Sequence, residues 1–115
     1  MTIENIHQSI ADNMVDNIFI NDWANAFITV EYYDESALEL EGGYKTKSND
    51  FISFKFRNFD RRIISDFHRL HKITSFDSGK KWNRAAFTLE PTGKFNIDVN
   101  WDQELADEIE RFSNK

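Results

Sequence analysis

WNRAAFTLEPTGKFNIDVNW, residues 82–101, decides the reading of this chain. Two extended runs, 82–90 and 94–101, flank Pro91-Thr92-Gly93. The fixed φ of proline suits the first corner of a type I turn, and glycine accepts the positive φ that closes a bulged hairpin loop. Phe95, Ile97, Val99 and Trp101 alternate with polar residues, so the second run is a strand with one apolar side. By that alternation Trp101 belongs with the core.

Upstream, the same period of two recurs. Ile28, Val30 and Tyr32 alternate with Thr29, Glu31 and Tyr33 in a strand over 26–33. Asp34-Glu35-Ser36 turns the chain into a strand over 37–44, where Leu38 and Leu40 alternate with Glu39 and Glu41 until Gly42-Gly43 predicts a bulge. Ser48-Asn49-Asp50 makes another turn, and residues 51–57 place Ile52, Phe54 and Phe56 on one side of a third strand.

Elsewhere the period changes to that of a helix. Ile3, Ile6, Ile10, Met14 and Ile18 form one apolar stripe over 2–18, beginning at Thr2 and stopping near Asn21-Asp22. Ile63, Ile64, Phe67 and Leu70 mark a central helix capped by Asn58, with Arg61, Arg62, Arg69 and Lys72 on its other face. A loop around Asp77-Ser78-Gly79 follows, and Asp102 caps a final helix carrying Leu105, Ile109 and Phe112. The order α-β-β-β-α-β-β-α predicts an α+β fold: an antiparallel five-stranded sheet, covered on one face, with N-terminal, central and C-terminal helices.

The 115 residues have the length of a single domain, and eleven Phe, three Trp and three Tyr supply ample apolar area for one core. Without cysteine, neither a disulfide-stapled secreted scaffold nor a cysteine-ligated zinc site is open. Neither an export signal nor a run of eighteen apolar residues occurs, so the expected location is the cytoplasm and no membrane contact is expected. The net charge of −6 is unevenly placed: −6 over residues 1–58, +4 over 59–84 and −4 over 85–115. An acidic surface repels nucleic acid and draws in basic proteins.

At the hairpin, Trp82, the run Phe87-Thr88-Leu89-Glu90-Pro91-Thr92-Gly93-Lys94-Phe95-Asn96-Ile97-Asp98, and Trp101-Asp102 together resemble the signature of the YezG-type antitoxin or immunity family. The initial helix, the meander of strands and the central helix are similar in order. Two departures stand out: the central helix here is basic, and a further helix follows the hairpin. The resemblance implies an antitoxin, active without catalysis, that caps the toxic C-terminal domain of a polymorphic or contact-delivered toxin, frequently a nuclease. Because nuclease sites are cationic, clustered carboxylates can block them by imitating phosphate charge.

Two acidic clusters qualify as partner-binding candidates. Glu31, Asp34, Glu35, Glu39 and Glu41 lie on adjoining strands, where like charges in cross-strand pairs are unfavourable and require an explanation. Asp98, Asp102 and Glu104 surround Trp101, a combination that suits a binding hot spot. The competing reading for the first cluster is a solvated sheet face or a protected edge.

Other chemistries are weaker in the sequence. His68 and His71, with Asp66 near, imitate one edge of a metal site but lack a third spaced ligand, so neither metal nor cofactor is expected. Ser65, Asp66 and His68 could be written as a triad, yet neighbouring helical positions point apart and no glycine-flanked nucleophile elbow exists. The basic block Arg61, Arg62, Arg69, Lys72, Lys80, Lys81 and Arg84, near Phe76 and Trp82, leaves a small nucleic-acid-binding regulator as the alternative function.

Overall fold

The computed structural model describes residues 2–34, 36–77 and 81–113. The chain runs α1 (Ile3–Asp16), β1 (Trp23–Asp34), β2 (Ala37–Thr46), β3 (Phe51–Ser53), a 3-10 turn (Phe56–Asn58), α2 (Arg62–Asp77), β4 (Arg84–Leu89), β5 (Phe95–Asn100) and α3 (Gln103–Ser113). All strand pairs are antiparallel, in the order β3-β2-β1-β4-β5, which is the expected α+β arrangement.

The core lies between one sheet face and two helices. Ile28 and Val30 of β1 and Phe87 and Leu89 of β4 meet Ile6, Ile10 and Met14 of α1 and Ile63, Phe67 and Leu70 of α2. Each such side chain contributes about 1.5–3 kcal/mol on burial. The β4-β5 hairpin closes as its residues require: Glu90 N donates to Lys94 O at 2.8 Å, and Gly93 sits at φ 91°.

Thr2 caps α1 by accepting from Asn5 N at 3.2 Å. The helix ends at Asp16, earlier than the apolar stripe predicts, because Asn17 competes for its own turn. Its side-chain amide takes the Asn13 carbonyl at 2.8 Å, while its backbone N–H shifts to Met14 O. Ile18 and Ile20 still pack on the core from the following segment.

Residues 51–57 depart further from expectation. Pairing with β2 stops at Ser53, Phe54 N donates to Gly42 O at 2.9 Å, and the chain winds into the 3-10 turn. Phe54, Phe56 and Phe59 then form an aromatic cluster, with Phe54 and Phe59 in edge contact at 5.1 Å between centroids. The expected bulge at Gly42-Gly43 is absent from the β1-β2 register, whose irregularities fall between Trp23 and Asn25 and between Tyr32 and Asp34. The two glycines serve close approach: a Cβ on Gly42 would lie 2.1 Å from Phe27 O, and one on Gly43 would lie 2.2 Å from Ile52 O.

Helix starts are held by buried asparagines. Asn13, 1% exposed, donates to Asp60 O and accepts from Asp60 N, both at 3.0 Å, and the Asp60 carboxylate in turn accepts from Arg62 N at 2.9 Å. Asp60 therefore does at α2 what Asn58 was expected to do. Asn83, 3% exposed, grips Asp102 the same way at 2.8 and 2.7 Å, and the Asp102 carboxylate accepts from Leu105 N as the expected cap of α3.

The clasp on Asp102 also ends β5. Strand pairing stops at Asn100, so Trp101 leaves the alternation and is 48% exposed, its indole N–H donating to Gln103 Oε1 at 2.9 Å. Trp101 is thus not a core residue. α3 borders one hollow with Glu31 and Tyr33 and another with Tyr32 and Trp82, and Leu105 is its buried residue.

Candidate partner-binding face

The sheet face opposite α1 and α2 carries the acids. Its strand registers form two rows across the sheet. One runs Glu41, Thr29, Ala86, Asp98, and the next runs Glu39, Glu31, Arg84, Asn100. Thr29 and Ala86 are small, so the centre sinks into a depression of about 350 Å³ with Glu31, Glu39, Glu41, Asp98 and Arg84 around it.

Glu31 and Glu39 are direct cross-strand partners, the unfavourable pairing noted above. Two neighbours relieve it. The Tyr33 hydroxyl lies 2.9 Å from Glu31 Oε2 and 2.6 Å from Glu39 Oε2, donating to either carboxylate in turn. Arg84 reaches Glu31 Oε1 with Nη1 at 2.7 Å and Asp102 Oδ2 with Nε at 2.7 Å.

Protonation follows from these bonds. The Arg84 hydrogen bond, then that of Tyr33, holds the Glu31 carboxyl below the usual carboxylate range. Asp102 is lowered by Arg84 and then by the Leu105 N–H. The Tyr33 hydroxyl is pushed up, first by its bond to Glu39, because ionising it would set three negative charges together. Around Arg84 the face thus gathers the carboxyl groups of Glu31, Glu39, Glu41 and Asp98, with Asp102 bonded to the same guanidinium.

Not every candidate joins this face. Asp34 folds back on its turn, its Oδ1 accepting from both Ser36 N and Ser36 Oγ at 2.7 Å. Glu104 sits on the outer surface of α3 beside Asp107, Glu108 and Arg111. Trp101 lines a separate hollow with Tyr32, His71, Trp82 and Ile109. Glu35, Lys80 and the side chain of Phe76 lie outside the described residues.

Arg84 was grouped with the basic block by its position in the chain, but strand geometry sends it to the acidic face. Its alternation with Ala85, as Ala86 alternates with Phe87, was the available signal. The block disperses in other ways as well. Arg62 pairs with Asp60 at 3.2 Å, and Arg69 lies 3.8 Å from Asp66.

Asp66 is buried against α1, where it accepts from Ser9 Oγ at 2.5 Å, and Arg62 Nε donates to the same hydroxyl at 3.0 Å. Ser65 is exposed and His68 Nδ1 approaches Tyr32 Oη at 3.4 Å, so Ser65, Asp66 and His68 do not converge. His71 stacks on Tyr32 at 3.6 Å, and its Nε2–H donates to Trp82 O at 2.9 Å. That carbonyl fixes the tautomer. Among the described residues no group of three or more His, Asp or Glu side chains is placed to hold a metal ion.

No family model matches the chain. The chain is similar to Immunity protein YezG of Bacillus subtilis (strain 168), 22% identical over an alignment of 123 positions, gaps included, that covers 96% of this chain and 80% of that protein. This likeness extends well beyond the hairpin and marks a distant relationship to an immunity protein. No described helix is long and apolar enough to cross a membrane.

Proposed function

We propose that this chain, acting as one unit over residues 1–115, is an immunity protein. It binds a cognate toxin domain in the cytosol of the producing cell and neutralises it without catalysis. The toxin domain is a basic nuclease, whose phosphate-binding surface is met by the acidic sheet face.

The observation that carries this reading is the gathering of Glu31, Glu39, Glu41 and Asp98 from β1, β2 and β5 around one depression, with Asp102 at the start of α3 bonded to the Arg84 that borders it. Like charges crowd there at a cost to the fold, offset within it by Tyr33 and Arg84. A basic surface would relieve that crowding on binding and be steered toward it at long range. The distant similarity to an immunity protein agrees in kind.

Neutralisation calls for affinity in the nanomolar range, about −12 kcal/mol. The test is calorimetric titration of the toxin domain encoded beside this chain with wild type and a Glu39→Lys/Glu41→Lys variant. Tight wild-type binding that weakens at least tenfold in the variant is expected. Equal binding by both would move the interface off this face, and no binding by the wild type would end the immunity reading.

A further inference from the structure

Carboxylates give steering and specificity, but high affinity rests on side chains that are fully desolvated inside a charged rim. The acidic depression itself has no such anchor point, since its floor is Thr29 and Ala86, and the stacked Phe27 and Phe51 lie one register row away from it. The neighbouring hollow does. Tyr33, Leu105, Ile109 and Phe112 line a groove of about 380 Å³, and its two charged rim residues, Glu31 and Glu108, are both acids.

The groove is continuous with the acidic face. Glu31 borders both hollows, and Tyr33, which lines the groove, bonds Glu39 on the far side of Glu31. The Phe112 ring is 72% exposed at its outer wall. Apolar walls with an acidic rim suit an apolar side chain flanked by lysine or arginine. A second copy of this chain fits badly, because two-fold pairing across the groove would bring Glu31 and Glu108 of one copy against those of the other.

We propose that this groove is the anchoring half of the partner surface, taking an aliphatic or aromatic side chain that the toxin domain presents next to its basic patch. The proposal rests on the immunity reading and adds a site to it. In kinetic terms the acidic face sets the association rate and its salt dependence, while the α3 groove sets the dissociation rate.

Association and dissociation of the neighbouring toxin domain are measured by surface plasmon resonance at low and high salt, with wild type, Phe112→Ala, Glu108→Lys and Glu39→Lys/Glu41→Lys. Thermal melting checks that each variant is folded. Phe112→Ala is expected to dissociate on the order of tenfold faster, with the salt dependence of association unchanged. Glu108→Lys is expected to weaken binding as well, and Glu39→Lys/Glu41→Lys to slow association chiefly. Tight wild-type binding that Phe112→Ala and Glu108→Lys both leave within twofold would overturn the groove assignment while the immunity reading stands. Absence of wild-type binding would overturn both. Sedimentation of the wild type alone as a dimer that Phe112→Ala dissociates would assign the groove to a second copy and overturn the proposal.

Discussion

Replacing Asn83 by alanine should release α3 and leave the rest of the protein folded. The Asn83 amide makes two hydrogen bonds to the Asp102 backbone, at 2.8 and 2.7 Å, from a position only 3% exposed. Each such bond is worth about 1–1.5 kcal/mol net, so the loss is about 2–3 kcal/mol. α3 is otherwise held by the burial of Leu105 and by the Arg84–Asp102 bond at its start, and among the described residues it makes no extensive contact with another helix, so that loss falls first on local opening of the helix. At 1.4 kcal/mol per factor of ten, amides of α3 should exchange about 30- to 140-fold faster. Hydrogen exchange under native conditions, read residue by residue, measures this directly, and amides at the centre of β1 and β4 should keep their protection. The matched control is Asn13→Ala, which breaks the same clasp at Asp60 between α1 and α2. There the loss should be global and should accelerate exchange in the sheet as well. Unchanged exchange in α3 of Asn83→Ala, or an equal loss of protection in β1, would refute the reasoning.

Two further outcomes follow from particular contacts. Gly42→Ala would place a methyl group 2.1 Å from Phe27 O in the centre of the sheet, so it should destabilise by about 3 kcal/mol or more, read as a lowered urea midpoint. Because the folded pKa values of Glu31 and Asp102 are depressed, their contribution is fully present above the ordinary values of 4.5 and 3.8 and is lost as pH falls through the folded values. Arg84→Met removes the leading cause of both shifts, so its stability should fall less steeply than wild type below about pH 4.5, measured by urea unfolding across pH; an equal slope would sink the assignment. Burial lowers His7 and His71 in both proteins, so stability lost as pH falls below 6.5 should be common to the two.

Much of this fold was legible because most elements obey a simple period. The apolar stripes of α1 and α2 and the hairpin around Pro91-Thr92-Gly93 state their own geometry. Phe54 and Phe56 show the limit of that reading: alternation of aromatic and polar residues occurs equally in a strand and in a chain winding over a core. Trp101 shows another, since a period carries no mark of where hydrogen-bonded pairing ends. Asn13 and Asn83 were invisible as buried residues because their partners lie 47 and 19 positions away in sequence. Of the acidic candidates, Glu31, Glu39, Glu41, Asp98 and Asp102 come together around Arg84, a residue whose place is set by strand register.

Arg84 also bears on which basic partners the proposed face would accept. Its guanidinium is a fixed positive point inside an anionic field, bonded on both sides to carboxylates of its own chain. A partner with an unbroken sheet of lysines would set a cation against it, whereas one whose charges leave a gap, or place a carboxylate, at that point would not. On the immunity reading, discrimination among basic proteins rests on the pattern of their charges opposite Arg84 and not on the total.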